Sequence, residues 1–101
     1  MIIQLVTRTF TSQKDANTFE TFFCKQWKEL IKNIPNCKLR IVKNKDKLNT
    51  FNAVWEFPDS FTQDKVMKLI KINNQNYEGV IAKKTTNFVG DVKKEFVSIK
   101  S

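Results

Sequence analysis

Histidine is absent from this 101-residue chain, and cysteine, glycine and proline occur only twice each. Without histidine there is no Ser-His or Cys-His nucleophile pair and no zinc site of the common Cys/His kind. Cys24 and Cys37 do not form a CxxC pair and read as structural thiols. Gly79 and Gly90 are too few to build a phosphate-cradling loop, and no clustered carboxylates suggest a magnesium or di-iron site. No run approaches the ~18 apolar residues of a membrane span. Met1 to Val6 lacks the basic start, long apolar stretch and small-residue cleavage site of a signal peptide, so the expectation is a cytoplasmic protein without a membrane partner. The scarcity of glycine and proline also argues against low complexity.

What is present is enough apolar material for one core. Hydrophobic residues make up 41% of the chain, with nine Phe and two Trp, and its length leaves room for a single domain over residues 1–101. A domain this small buries roughly 60 to 70% of its unfolded surface, so a subunit interface would add needed burial. The net charge of +8 raises the question of a polyanion partner. Its source, however, is sixteen Lys and two Arg spread over nearly every segment. Base reading and tight phosphate forks favour Arg, so a solvated lysine-rich surface is the simpler reading.

Residues 2 to 10 are rich in β-branched and aromatic types and predict a strand that is apolar on both faces. Ser12-Gln13-Lys14-Asp15 resembles a capping box. From it Ala16, Phe19, Phe23, Trp27, Leu30, Ile31 and Ile34 recur at helical spacing, and the helix should end near Asn33 because Pro35 disfavours helical geometry before it. Cys37 to Val42 alternates as a second strand, Lys43 to Lys47 is a charged turn, and Phe51, Ala53, Trp55 and Phe57 share one face of a third strand. Strands two and three should pair as an antiparallel hairpin. Ser60-Phe61-Thr62-Gln63 offers a second cap before Val66, Met67, Leu69, Ile70 and Ile72. The Asn-rich run at 73–76 predicts a break, followed by a second helical piece over 75–88. A strand at Val80 to Ala82 is the other option that periodicity leaves open. Gly90-Asp91 then predicts a turn into a final strand, Val92 to Ile99.

This order predicts an α+β, ferredoxin-like βαββαβ antiparallel sheet with both helices on one face. Strands one and three carry apolar residues on both parities, so something must cover the second face, and a second copy of the chain is the simplest cover. The run Val54-Trp55-Glu56-Phe57-Pro58-Asp59-Ser60-Phe61, with Asn76-Tyr77 and Phe88-Val89-Gly90-Asp91 beyond it, resembles the second half of antibiotic-biosynthesis-monooxygenase domains. That resemblance implies a homodimeric α/β barrel with a ligand pocket in each subunit between sheet and helices. Its members include cofactor-independent oxygenases of aromatic polyketides or quinols, haem-degrading enzymes and proteins without known activity. Two departures matter. The histidine many members carry near the last break is missing. The Asn, Trp and His of the haem-degrading branch are also unmatched, because Thr7 stands on the first strand, no Trp opens the helix at Phe61, and Val80 or Ile81 falls at the last position.

The resemblance therefore implies a cofactor-independent monooxygenase-like protein, an oxidoreductase that needs no cofactor, for a small aromatic or quinol ligand. Phe23, Trp27 and Trp55 would supply pocket walls, and Asn76 and Tyr77 hydrogen bonds. Arg8 would stabilise a phenolate-like anion, or else it snorkels to a strand edge or pairs with Glu56 across the sheet. Glu56, between Trp55 and Phe57, would act as a general base if its face is buried, and is otherwise a paired surface charge. Two other functions compete. One is a non-catalytic dimeric ligand-binding or scaffold protein on the same fold. The other, weaker, is RNA binding through Phe51, Trp55 and Phe57 beside Lys38, Arg40, Lys43, Lys45 and Lys47, although the third strand lacks the RNA-recognition signature.

Overall fold

A computed structural model describes residues 1–75, 77 and 79–99. The elements run β1 (Ile2–Thr9), α1 (Gln13–Leu30), a 3-10 turn (Ile31–Asn33), β2 (Lys38–Val42), β3 (Thr50–Phe57), α2 (Ser60–Gln75) and β4 (Lys84–Asp91). The strands form one antiparallel sheet in the order β2-β3-β1-β4. This is the ferredoxin-like α+β plan expected from the order of elements.

Local chemistry accounts for the early boundaries. The Ser12 hydroxyl accepts a hydrogen bond from the Asp15 N–H at 3.1 Å, satisfying an orphan donor of the first helical turn. The chain tightens into the 3-10 turn and reverses at Pro35-Asn36, where Asn36 takes a φ of 57°, a left-handed conformation that Asn tolerates. Within the charged turn before β3, the Asn44 side-chain oxygen accepts from the Asp46 and Lys47 N–H groups and closes a local loop.

Three expectations need correction. The cap of α2 lies one residue earlier than Ser60: the Asp59 carboxylate accepts from the Thr62 N–H at 2.8 Å. Helix α2 runs unbroken through Asn73 and Asn74, and the Asn73 amide donates to the Leu69 carbonyl one turn back. Most important, 84–91 is a strand, not the end of a helix over 75–88, and the last strand therefore lies before Val92. Thr85, Thr86, Phe88 and Val89 have strand-forming side chains, and pairing with β1 places Gly90 opposite Ile3 inside the ladder instead of in a turn. Hydrogen bonds from Lys83 N–H to the Thr9 carbonyl and from Val92 N–H to the Met1 carbonyl bracket this ladder.

The core lies between the sheet and the helices. Trp55, Phe10, Phe51, Phe57 and Val66 are its largest fully enclosed side chains. Aromatic rings run through it in contact, with Phe10 on Phe19 at 5.4 Å, Phe19 on Phe51 at 5.1 Å, Phe23 on Phe51 at 4.9 Å and Trp27 on Trp55 at 4.9 Å. Phe51, Trp55 and Phe57 are thus buried under the helices and do not form an outward stacking platform for bases.

Among the described residues nothing covers the opposite face of the sheet. Leu5 is 37% exposed there and Phe88 65%, and both belong to the parity facing away from the helices. Beyond β4, residues 92–99 have no regular structure and leave Phe96 90% and Ile99 96% exposed. Among the described residues no helix is long and apolar enough to cross a membrane.

Candidate ligand-binding site

Strand alternation places Gln4, Val6, Arg8 and Phe10 on the helix side of β1. The register sets Arg8 opposite Phe51, Val6 opposite Ala53 and Gln4 opposite Trp55, so the polar residues of β1 and the aromatic residues of β3 share one face. On the other flank Arg8 faces Thr85 and Val6 faces Asn87 of β4. Phe23 from α1 and Met67 and Ile70 from α2 roof this patch, and together these residues line a cavity of about 160 Å³ that opens on the β4 flank, where Thr85 and Asn87 are exposed.

Its walls are apolar and its polar groups are chiefly donors. The indole N–H of Trp55, a residue with 0% exposure, is buried without an acceptor. The Arg8 Nε is likewise buried and unpartnered, and among the described residues the guanidinium makes no ion pair or hydrogen bond. Its carbon lies 5.3 Å from the centre of the Phe19 ring, a cation–π contact. Burial pulls the Arg8 pKa below its ordinary value, because the charged form loses solvation. The Asn87 side-chain oxygen accepts from the Gln4 amide at 3.0 Å, and the Gln4 oxygen accepts from the Gln63 amide at 2.9 Å. This relay ties β4, β1 and α2 together and leaves the Asn87 NH2 as the free end of its amide. Among the described residues no carboxylate or thiol lines the cavity.

Arg8 also walls a second hollow of about 340 Å³, shared with Phe19, Tyr77 and Val80. The Tyr77 ring stacks on Phe22 at 4.0 Å, and its hydroxyl is buried without a partner. A Cβ at Gly79 would collide with that phenol ring, so the residue's lack of a side chain leaves room for Tyr77 where it is.

Of the residues singled out from the sequence, Arg8, Phe23 and Trp55 come together around the cavity, and Tyr77 stands next to Arg8 in the adjoining hollow. Trp27 is displaced from it: it backs Trp55 edge-on and lines a surface hollow with Cys24 and Leu39 instead. Glu56 lies on the other side of the sheet. It sits opposite Ile3 and Lys38, with Arg40 3.1 Å and Lys38 3.7 Å from its Oε2. The Arg40 contact is an ion pair without hydrogen-bond alignment, since that oxygen accepts no hydrogen bond. Glu56 is therefore neither beside the cavity as a general base nor the partner of Arg8. Asn76 lies outside the described residues. Burial pushes the thiols of Cys24 and Cys37 up in pKa, with Glu20 adding to the effect at Cys24, which suits structural thiols.

The residues missed from sequence are Gln4, Gln63, Asn87 and Met67. A glutamine inside the apolar run Ile2-Ile3-Gln4-Leu5-Val6 was the available signal, because a buried amide needs partners.

No protein-family model and no curated protein sequence matches the chain. Solved structures do. A dimeric ferredoxin-like protein from an uncultured marine organism superposes with a TM-score of 0.72 at 15% identity, over 94% of this chain and 97% of that one. Another protein of the same description and source gives 0.68 at 18% identity, over 97% and 100%. An antibiotic biosynthesis monooxygenase gives 0.65 at 13% identity, over 93% and 100%. The chain therefore has the fold of these dimeric ferredoxin-like proteins and of that monooxygenase.

Proposed function

We propose that this protein holds a small aromatic or quinol ligand between its sheet and helices and acts as a cofactor-independent, monooxygenase-like homodimer. The observation that carries the reading is a cavity walled by Phe23, Phe51 and Trp55, with the Trp55 N–H and the Arg8 Nε left without acceptors. Buried donors are nearly always satisfied, so two orphans borne by residues of one cavity support a reading in which a ligand supplies their acceptors. The cavity is close to the ~150 Å³ at which an apolar protein cavity admits a benzene ring.

In cofactor-free oxygenation the substrate supplies the electrons. A hydroquinone anion and O2 would give a hydroxyquinone, with one oxygen atom of O2 entering the ring and the other leaving as water. Arg8 would hold the substrate anion by charge and hydrogen bonds, and the aromatic walls would exclude bulk water. A second reading, a non-catalytic ligand-binding protein, draws on the absence of a carboxylate in the cavity, since Glu56 stands on the far face. Oxygen consumption with a hydroquinone separates them. Uptake above autoxidation that is lost in Arg8→Met supports the oxygenase, and binding without uptake supports the second reading. Neither binding nor uptake would sink both.

The occupant we assign to the open sheet face is a second copy of the chain. Leu5 and Phe88 are neighbours in the ladder on that face, and Val42 at its far edge is 46% exposed. Two of the solved structures with this fold are described as dimeric. Burying such a face is the usual way a small domain gains the apolar burial its own core lacks.

A further inference from the structure

We infer that the cavity beside Arg8 takes a single-ring aromatic anion, a carboxylate first of all, that is already ionised before it enters. The inference rests on the reading of this cavity as a ligand site and adds the charge of the ligand. Four groups in the wall have a hydrogen to give: the Arg8 guanidinium, the Trp55 N–H, the Asn87 NH2, whose oxygen is already occupied by Gln4, and the Thr85 hydroxyl, which can also accept. A carboxylate matches the guanidinium fork with two acceptor oxygens, whereas an amide or alcohol would present a single oxygen to it.

The protonation state follows from what the cavity lacks. Among the described residues neither a carboxylate nor a thiol lines it. Glu56 faces the opposite side of the sheet between Lys38 and Arg40. Cys24 and Cys37 lie elsewhere, Cys24 on the exposed side of α1 and Cys37 ahead of β2. A neutral acid entering the cavity would find no side chain to take its proton, so the ligand must be ionised in water at the working pH.

The register adds a preference across the ring. Trp55 stands four positions along β3 from Phe51, the ladder partner of Arg8, which at ~3.3 Å per residue is roughly 13 Å of strand. Arg8 and Trp55 therefore reach the cavity from different ends. A ring with a carboxylate at one end and a second acceptor para to it meets both.

The test is calorimetric titration of the full chain at neutral pH with benzoate, 4-hydroxybenzoate, benzamide and benzyl alcohol. Benzoate should bind more tightly than benzamide by about tenfold or more, the scale of a charge-assisted hydrogen-bond pair. 4-Hydroxybenzoate should bind more tightly still. Arg8→Met should erase the preference for the anion, Arg8→Lys should keep part of it, and Trp55→Phe should remove only the gain from the para hydroxyl. Equal affinity for benzamide and benzoate would overturn the inference while leaving the ring site standing. No binding of any of the four would overturn the inference together with the site. Glu78→Gln removes the one acid the sequence carries between Asp64 and Asp91, and a large gain in anion affinity there would overturn the claim that the guanidinium awaits an external partner.

Discussion

Replacing Arg8 by Met should stabilise the ligand-free protein while abolishing its affinity for anions. Met keeps an unbranched apolar stem of similar reach and removes the guanidinium. In the folded chain the Arg8 Nε is buried without an acceptor, and burial lowers the guanidinium pKa. A buried polar group left unpartnered costs ~1–3 kcal/mol, and a partly exposed one belongs at the low end of that range. Against this, the contact with Phe19 at 5.3 Å returns ~0.5–1 kcal/mol, and a Met sulfur near the ring recovers part of it. The balance is a gain of about 0.5 kcal/mol, which for a domain of this size, at roughly 4–8 °C per kcal/mol, raises Tm by about 2–4 °C. Circular dichroism melts of wild type and Arg8→Met without ligand, backed by urea titration, measure it. A drop of several degrees would refute the reasoning, because it would mean that Arg8 is held by interactions of the chain's own and is structural. A rise in Tm with lost anion binding is the pattern of a residue kept for function at a cost in stability.

The open sheet face makes a second prediction. Size exclusion with light scattering should give a dimer whose mass does not change between low and high salt, and Leu5→Lys combined with Phe88→Glu should shift it to monomer; a wild-type monomer at both salts would exclude the proposed interface. A third concerns the cap of α2, where hydrogen bonds from the Thr62 backbone N–H and side chain hold the Asp59 carboxyl below its ordinary pKa. A depressed carboxylate stabilises the fold above its unfolded pKa, and that contribution is lost as pH falls through the folded value. Asp59→Ala should therefore lower Tm at neutral pH, and the difference from wild type should shrink in acid; a difference that grows on acidification would reverse the assignment.

Much of this architecture was legible in the chain. A run of β-branched and aromatic residues marked β1, period-two alternation marked β3, and a helical stripe bounded by Ser12 and Pro35 marked α1, because each pattern is set by residues a few positions apart. The segment over 75–88 misled for the same reason. Tyr77, Val80, Ile81, Thr85 and Phe88 happen to fall at helical intervals, yet the conformation of Thr85 and Phe88 is decided by the ladder with β1 at the other end of the chain. Gln4 and Asn87, 83 residues apart, meet only because that ladder forms.

The candidate site divides in the same way. Alternation within β1 puts Arg8 on the same side as Val6 and Phe10, and alternation within β3 separates Trp55 from Glu56. Those facts are local and readable. Which side of β3 faces the same way as Arg8 is not local, because it depends on the pairing register. With Arg8 opposite Phe51 and Ile3 opposite Glu56, the guanidinium joins the tryptophan under the helices and the carboxylate joins Arg40 and Lys38 outside. A shift of one residue would place Glu56 instead of Trp55 on the face that carries Arg8. Side-chain parity is a property of each strand alone, whereas the company a side chain keeps is set when distant strands hydrogen-bond, and that step belongs to the tertiary structure.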